Sequence, residues 1–475
     1  MVTLKPHVVL LASPGMGHII PLVELSKRLV TLDKFSVTLF VIPTSQSQLL
    51  KSLSTFHDEF HIVDLTPGNI LELVSRNISV ENRISITVQE SMTSLKSHLT
   101  SMKPTPVALI VDIFGLCAFD IADELGILKY VFVTCTAWFL ALTLYVPKLD
   151  EEVDGEYVDQ IEPILIPGCK SIQPVDVVEP MMDRKTERYQ LYLEFARKMP
   201  MADGLLLNTW DDLEPMTLKA MRENGILRQF VKPRVYPVGP VARSIGQEMV
   251  ANDYYLDWLS KQPNGSVLYV SFGSGGTLSS EQMTELAFGL ELSQQRFIWV
   301  VRPPTRSDAS SSFFSSHAGA QDPSEYLPKG FLTRIHGLGL VVSDWASQEH
   351  ILAHPSIGGF LSHCGWNSTL ESITNGVPII AWPLYAEQRM NAVLLAEELG
   401  VAVRPELVSA KGSVASREKI ERIVRLVMVS QEGEMLRDRM KNIRKCALMA
   451  AGKGGSSHNA LLEVAKEWEV DQRAG

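Results

Sequence analysis

Short apolar runs alternate with segments of helical spacing, and this alternation occurs twice along the chain. In the first half, the runs are residues 7–12, 37–41, 107–111 and 204–207. In the second half, they are residues 267–271, 297–300, 340–342, 357–361 and 379–382. Segments with helical spacing, such as residues 281–290 and 391–399, separate the runs. This alternation is typical of parallel sheets, so we predict an α/β chain with two doubly wound domains.

A polar segment without apolar periodicity separates the two halves. It follows residues 235–240 and extends to about residue 253. We therefore predict an N-terminal domain of residues 1–240, a linker of residues 241–254 and a C-terminal domain of residues 255–456. Residues 457–475 are a further predicted helix, in which the apolar side chains have helical spacing. A Ser-rich stretch at residues 305–316 is predicted to be a loop.

Charge and cysteine content limit the class of protein. A net charge of −10 and a pI near 5.6 argue against a nucleic acid partner, because such proteins usually present a basic surface. The five cysteines lack a paired or metal-ligand spacing, so we expect free thiols in a reducing compartment. The N-terminal apolar run is too short for a secretory signal, and no run is long enough to span a membrane. We expect a cytoplasmic protein without stable membrane insertion.

The stretch from Trp345 to Gln388 is dense in side chains suited to a nucleotide and its phosphates. Trp345 offers an indole face to a flat base. After a short apolar run, Gly365 permits a sharp turn, and Ser368 to Glu371 has the form of a capping box that begins a helix. The first N–H groups of a helix lack partners, so a pyrophosphate suits this turn. The alternative is that Ser368 and Glu371 only cap each other.

Two polar residues are expected at one edge of the first sheet. His18 follows a glycine turn after the first apolar run, and Asp112 ends the run at residues 107–111. A histidine held by an aspartate acts as a general base, because the carboxylate fixes the imidazole tautomer and stabilises the imidazolium. The alternatives are a polar residue at a helix start for His18 and a loop cap for Asp112.

Over essentially its whole length, the sequence resembles the plant family 1 UDP-glycosyltransferases, and most of all their branch that acts on phenolics such as hydroquinone and monolignols. The resemblance rests on the sequence around His18, the turn at residues 273–276 and the stretch from Trp345 to Gln388. It implies the GT-B fold, with two Rossmann-like domains facing a cleft and a C-terminal helix that packs on the N-terminal domain. It also implies a monomer that transfers glucose with inversion from UDP-glucose to a small phenol or aromatic alcohol.

The same resemblance implies residue roles. His18 is the expected base and Asp112 its partner. Trp345 would stack on uracil, Ala346 and Gln348 would hold the base and ribose, and Glu371 would bind the ribose hydroxyls. The expected diphosphate ligands are Ser274, His363, Asn367 and Ser368. The expected sugar ligands are Trp366, Glu387 and Gln388. Candidates for the acceptor wall, where apolar residues are more often core, are Ile84, Phe114, Leu116, Trp138 and Thr143.

Other cofactor motifs are incomplete. His350 and His354 have the spacing of zinc ligands, but the acidic residue and third ligand of such sites are missing, so no metal is expected. The glycines before His18 and those at residues 452–454 do not complete a dinucleotide or phosphate-loop motif, so NAD and ATP are not expected. Two functions remain as alternatives to glucosyl transfer: transfer from another UDP-sugar, and non-catalytic binding of a UDP-sugar.

Overall fold

The structure is a computed structural model that describes residues 5–32, 34–43, 57–68, 78–223, 225–243, 254–304, 322–343, 346–405 and 414–474. The chain divides into two compact units. Unit 1 comprises Met1–Pro174, Pro180–Ala242 and Leu448–Gly475, and unit 2 comprises Val175–Glu179 and Arg243–Ala447. Neither unit is therefore one continuous piece of chain. Most of the predicted linker and the Ser-rich stretch lie outside the described residues.

Unit 1 contains a sheet of seven parallel strands. The strands are β1 His7–Ala12, β2 Ser36–Val41, β3 Phe60–Asp64, β4 Ala108–Val111, β5 Leu128–Val133, β6 Gly204–Leu207 and β7 Arg234–Pro237. Their order in the sheet is β3-β2-β1-β4-β5-β6-β7. Strands β4 and β6 are buried along their whole length, as expected for a parallel sheet with both faces covered.

Unit 2 contains a second parallel sheet, which has six strands. The strands are β8 Val267–Ser271, β9 Arg296–Val300, β10 Gly339–Val342, β11 Ile357–Ser362, β12 Ile379–Ala381 and β13 Ala402–Val403. Their order is β10-β9-β8-β11-β12-β13. In both sheets, the strand order reverses beside the first strand, which is the doubly wound Rossmann arrangement. The predicted α/β class is confirmed.

Helices connect the strands in both units. The α-helices are α1 Met16–Thr31, α2 Val80–Glu90, α3 Met92–Ser101, α4 Phe119–Leu125, α5 Ala137–Glu152, α6 Glu187–Lys198, α7 Pro215–Glu223, α8 Gly225–Arg228, α9 Tyr254–Leu259, α10 Ser280–Ser293, α11 Phe331–Arg334, α12 Gln348–Ala353, α13 Trp366–Asn375, α14 Gln388–Val393, α15 Arg417–Val429, α16 Gln431–Ala451 and α17 Ser456–Ala474. Short 3₁₀ turns occur at Ile113–Ala118, Tyr157–Asp159, Pro174–Asp176, Glu179–Met182, Met199–Met201 and Pro323–Glu325, and a π turn occurs at Leu394–Glu398.

Four strands do not appear in the sequence-based prediction: β3, β5, β7 and β13. Strands β3, β7 and β13 lie at sheet edges, where solvent permits polar residues and the apolar pattern weakens. Strand β13 has only two residues. Strand β5 lies inside the sheet, but its first two residues are only partly buried, which shortens its apolar run. Three of the four strands that the apolar pattern did not predict are therefore edge strands.

The C-terminal helix α17 is part of the core of unit 1. The Trp468 side chain is completely buried, and its ring contacts the edges of Phe35 and Tyr130, with both centroid distances 5.4 Å. The neighbouring Glu467 accepts hydrogen bonds from the hydroxyls of Tyr130 at 3.1 Å and Tyr236 at 2.6 Å. The helix is thus held to the sheet by apolar packing and by partly buried hydroxyl–carboxylate hydrogen bonds.

Two further findings concern the thiols and the helices. All five cysteines are free. Within the described ranges, no helix combines the length and apolar character needed to cross a bilayer.

Candidate functional site

The first group of predicted site residues lies where the strand order of the first sheet reverses, between β1 and β4. Ser13 follows β1, and Asp112 follows β4. The Ser13 hydroxyl donates to Asp112 Oδ1 at 2.6 Å, and its backbone N–H donates to Oδ2 at 3.0 Å. His18, in the first turn of α1, places Nδ1 3.3 Å from Asp112 Oδ2. The structure thus brings the predicted His–Asp pair together at a switch point, where open α/β sheets bind ligands.

Asp112 has two structural roles at once. Its Oδ1 also accepts the backbone N–H of Phe114 at 3.0 Å, so it caps the short turn that follows β4. Burial alone would raise the pKa of Asp112, but the nearby His18 and the two hydrogen bonds from Ser13 outweigh burial and hold this pKa below its ordinary value. The loop-cap alternative is therefore correct but does not replace the pairing with His18.

The environment of His18 is partly open and partly aromatic. About a fifth of its side chain is exposed, at 19%, whereas Asp112 is 1% exposed. The Phe114 ring meets the imidazole edge-on at a centroid distance of 5.2 Å, and Phe195 packs against Phe114 in the same way at 5.4 Å. A small aromatic molecule beside His18 would therefore meet aromatic neighbours.

The five acceptor-wall candidates differ in their surroundings. Phe114 contacts His18, whereas Ile84, Leu116 and Trp138 are almost completely buried. The Thr143 hydroxyl donates to the Phe139 carbonyl at 2.8 Å and lies 2.9 Å from the Tyr192 hydroxyl, so its hydrogen bonds are already used inside the protein. Phe114 is thus the candidate that the structure brings to the His–Asp pair.

A buried carboxylate that the sequence analysis missed fixes the start of α5. Glu214 accepts the backbone N–H groups of Ala137 at 2.8 Å and Trp138 at 3.0 Å. Burial raises its pKa, although these hydrogen bonds oppose that effect. Because Glu214 is more than 70 residues away from Ala137 and Trp138 in the sequence, no local pattern indicates that it binds the start of α5.

The second group of predicted site residues lies at the corresponding edge of the second sheet, between β8 and β11. Gly273 and Ser274 follow β8, and His363 follows β11. The backbone at Gly273 has a φ of +74°, and a Cβ there would lie 2.5 Å from the His363 imidazole. A Cβ at Gly365 would also lie 2.5 Å from this ring. Both glycines therefore permit the imidazole to pack directly against two turns.

His363 is uncharged at neutral pH. Burial, followed by the charge of Arg302, lowers its pKa to about 4. Within the described part of the chain, its buried Nδ1 has no hydrogen-bond partner. A neutral imidazole of this kind can donate one hydrogen bond to a ligand without titrating.

The expected capping box is wrong. Helix α13 begins at Trp366 with Gly365 as its N-cap, and no side chain caps it. Ser368 and Glu371 instead accept hydrogen bonds from Gln348 Nε2, at 2.8 Å and 2.6 Å. The alternative in which the two residues only cap each other is therefore excluded. The glycine turn starts the helix three residues earlier than the pattern indicated, and it leaves the first N–H groups without a side-chain cap.

The Gln348 side chain connects α12 to α13 and to the sheet. Its Oε1 accepts from the Tyr269 hydroxyl at 3.2 Å, while its Nε2 bonds Ser368 and Glu371. Nearby, Ala346 is buried, and the Ser347 N–H donates to the Tyr255 hydroxyl at 3.1 Å. Two of the predicted base and ribose ligands, Gln348 and Glu371, are thus joined by a hydrogen bond. Trp345 lies outside the described residues.

The predicted sugar ligands lie at the starts of α13 and α14. Trp366 is the first residue of α13 and is 2% exposed. Gln388 Oε1 accepts the N–H groups of Leu384 at 2.9 Å and Tyr385 at 3.1 Å, which leaves its amide NH₂ as the group for a ligand. Glu387 Oε1 accepts from Asn391 at 3.2 Å.

A segment from the first half of the chain holds this loop. In Val175–Glu179, which belongs to unit 2, the Glu179 N–H donates to the Ala386 carbonyl at 2.8 Å. The Glu179 carboxylate lies 3.1 Å from Arg389 Nη1, and Asp176 pairs with Arg404. Ala386 has a φ of +55°, which a non-glycine residue adopts only when its surroundings hold it there.

Arg302 is a second residue that the sequence analysis missed. It follows β9 by two residues, and its Nη1 donates to the Ser274 carbonyl. The signal that could have found it is its place as the first charged residue after an apolar strand, at the carboxyl edge of a parallel sheet. Within the described ranges, no cluster of three His, Cys, Asp or Glu residues is arranged to hold a metal ion.

Comparison with known proteins identifies the family. Residues 247–421 match the sequence model of the family described as UDP-glucoronosyl and UDP-glucosyl transferase. The chain is 51% identical to anthocyanidin 3-O-glucosyltransferase 5 of Manihot esculenta over 469 residues, which cover 98% of this chain and 96% of that protein. The chain belongs to the plant family 1 UDP-glycosyltransferases. It is therefore an enzyme that transfers a sugar from a UDP-sugar to plant small molecules.

Solved structures agree with this membership. The crystal structure of TcCGT1 in complex with UDP is 58% identical to this family member and has a TM-score of 0.94, with 98% of this chain and 100% of that chain covered. The structure of Phytolacca americana UGT2 complexed with UDP-2fluoro-glucose and pterostilbene is 40% identical, with a TM-score of 0.86 and the same coverage. The expected GT-B fold is confirmed.

Proposed function

We propose that the chain transfers glucose from UDP-glucose to a hydroxyl of a small phenol or aromatic alcohol and releases a β-O-glucoside. The observation that carries this proposal is the His18–Asp112 pair at the switch point of the first sheet. The Phytolacca enzyme was crystallised with a fluorinated UDP-glucose and the phenol pterostilbene, which supports both the donor and the acceptor class. The name of the Manihot relative, an anthocyanidin glucosyltransferase, supports them as well.

In the proposed reaction, His18 takes the proton of the acceptor hydroxyl while the acceptor oxygen attacks the anomeric carbon of glucose. The bond from that carbon to UDP breaks on the opposite side, so an α-linked donor gives a β-linked product. The resulting imidazolium is stabilised by Asp112, which does not itself take the proton. Because the pKa of Asp112 is below its ordinary value, this carboxylate is ionised at neutral pH.

The donor is proposed to bind at the carboxyl edge of the second sheet. The start of α13 follows the glycine turn after β11 and has no side-chain cap, which supports a diphosphate position there, because the N-terminus of a helix carries partial positive charge. The proposed diphosphate ligands are Ser274, His363, Asn367 and Ser368. The proposed ligands of the base and ribose are Trp345, Ala346, Gln348 and Glu371, and those of the sugar are Trp366, Glu387 and Gln388. We further propose that the enzyme is a cytoplasmic monomer that needs no metal.

The function is tested by incubation of the protein with UDP-glucose and a panel of phenols and aromatic alcohols. We expect release of UDP together with a product heavier by one hexose unit, and an anomeric NMR coupling typical of a β-linkage. A control without phenol measures hydrolysis of the donor. An α-linked product, or a product that forms only with another UDP-sugar, would contradict the proposal. Binding of UDP-glucose without any UDP release would exclude the tested phenols and aromatic alcohols as acceptors and would contradict the proposal.

The role of Glu371 is tested by Glu371→Gln. Gly365 is the N-cap of α13, and the amide oxygen of the new side chain can still accept from Gln348, so this change is expected to leave the helix start and the melting temperature nearly unaltered. We expect UDP to bind about tenfold more weakly or worse, because a hydrogen bond to a charged group is worth roughly 1.5–3 kcal/mol. Calorimetric titration with UDP measures the affinity. A lower melting temperature with unchanged UDP affinity would show that Glu371 has only a structural role.

Donor choice is expected to favour UDP-glucose over UDP-galactose. The Gln388 oxygen is occupied by loop N–H groups, so we propose that its NH₂ donates to one sugar hydroxyl while the neighbouring Glu387 carboxylate accepts from another. An epimeric hydroxyl leaves one of them unpaired, which costs about 1–3 kcal/mol. Equal amounts of both donors in competition should therefore give mostly glucoside. Gln388→Glu keeps an oxygen for the loop but removes the NH₂ donor, so it should reduce the preference. A galactoside as the major wild-type product would overturn this prediction.

A further inference from the structure

Among the described residues, one positive charge at the carboxyl edge of the second sheet, that of Arg302, has no carboxylate partner. Arg302 is partly buried, and its Nη1 donates to the Ser274 carbonyl, a neutral acceptor. Among the described residues, no Asp or Glu forms an ion pair with it. Burial lowers the pKa of Arg302, because the loss of solvation outweighs the smaller opposing influences of Tyr385 and Tyr269. A desolvated guanidinium without an anion is unfavourable, so this arrangement favours an anionic ligand.

Two other partly buried arginines of unit 2, Arg389 and Arg404, have carboxylate partners, unlike Arg302. Arg389 pairs with Glu179, and Arg404 pairs with Asp176. Both of these arginines belong to the contacts that hold Val175–Glu179 in unit 2, and both have their charge balanced within the protein. The ion pairs that account for Arg389 and Arg404 therefore do not account for Arg302.

The neighbours of Arg302 are the residues at which the diphosphate is proposed to bind. Its hydrogen bond fixes the carbonyl of Ser274, and its charge contributes to the low pKa of His363. It also lines a cavity of about 20 Å³ with Gly273 and Gly276, which is about the volume that one water molecule needs. A diphosphate is too large for this cavity and would have to bind outside the turn.

We propose that Arg302 supplies the positive charge opposite the diphosphate of the UDP-sugar and, through the Ser274 carbonyl, holds the glycine turn in its binding conformation. This inference rests on the proposed donor site. His363 is neutral at physiological pH and the chain has a net charge of −10, so a local cation is needed to offset the charge of the donor. As UDP leaves the sugar, its negative charge increases, and a fixed guanidinium stabilises that change.

The inference is tested by comparing the affinities of the protein for uridine ligands that carry no, one or two phosphates. Uridine, UMP and UDP are titrated calorimetrically into the wild-type protein and into Arg302→Gln and Arg302→Lys. In Arg302→Gln, we expect UDP to bind about tenfold more weakly or worse, UMP to lose less and uridine to bind unchanged. Arg302→Lys keeps the charge and should retain more of the UDP affinity. The expected loss should also decrease as salt is added.

Arg296→Gln is the matched control. Arg296 is exposed at the opposite end of the same strand, so this variant makes the same change in net charge away from the proposed site. It should bind all three ligands as the wild type does. An equal loss for uridine and UDP in Arg302→Gln, or full retention of UDP affinity, would overturn the inference. If wild-type protein binds UDP no more tightly than uridine, the proposed donor site itself fails, which is a different result.

Discussion

Replacement of His18 by alanine is expected to lower turnover by a factor on the order of 10² or more, because general base catalysis typically contributes that much. The affinity for UDP should remain nearly unchanged, since His18 belongs to unit 1 and the proposed UDP ligands belong to unit 2. Initial rates at saturating donor measure the first effect, and calorimetric titration with UDP measures the second. Wild-type turnover in this variant would exclude His18 as the base.

The partner residue is tested in the same series. Asp112→Asn keeps an oxygen that can accept hydrogen bonds from Ser13 or Phe114, but it removes the charge that faces His18. We expect a smaller loss of turnover than for His18→Ala. If the two residues act as a unit, the double variant should be no slower than His18→Ala alone. Losses that multiply fully would show that Asp112 acts independently of His18.

Replacement of Trp468 by alanine is expected to destabilise unit 1 by about 3–5 kcal/mol, the range for removal of a large buried aromatic side chain. The indole is completely buried against Phe35 and Tyr130, so its loss leaves a cavity that these rings cannot readily fill. Trp468→Phe keeps an aromatic ring and should cost less. Scanning calorimetry measures the change, and bound UDP helps to assign the transition of unit 2 because a ligand raises the stability of the unit that binds it.

Leu448→Ala provides a matched control for this stability prediction. Leu448 also belongs to the C-terminal part of unit 1, but its side chain is 55% exposed. Substitutions on the surface usually change the free energy of unfolding by less than about 0.5 kcal/mol. A Trp468→Ala protein that melts at the wild-type temperature would show that α17 is not required for the stability of unit 1.

The sequence predicted the interior of the fold better than its edges. Strands such as β1, β4 and β8 are continuous apolar runs because both faces of a parallel sheet are buried, and this pattern is readable without a structure. Strands β3, β7 and β13 lie at edges, where burial no longer enforces the pattern. Placement of His18 and Asp112 after their strands was sufficient to expect them at one sheet edge, since carboxyl ends of parallel strands share an edge.

The contacts within the site were less predictable, because they join residues that are distant in sequence. The spacing of Ser368 and Glu371 matches a capping box, but Gly365 starts the helix earlier and Gln348 bonds both side chains instead. Nothing local to Gln388 indicated that its oxygen is used by the loop before α14. The hydrogen bond from Arg302 to Ser274 likewise depends on the pairing of β8 with β9.

Helix α17 has a consequence for biosynthesis. All seven strands of the first sheet precede residue 242, yet the core that covers them includes Leu461, Val464 and Trp468. At translation rates of about 5–20 residues per second, the ribosome needs on the order of tens of seconds to supply these last residues. During that interval, the apolar surface around Phe35 and Tyr130 is uncovered. The nascent first half therefore exposes apolar surface to solvent until α17 has been synthesised and can pack against it.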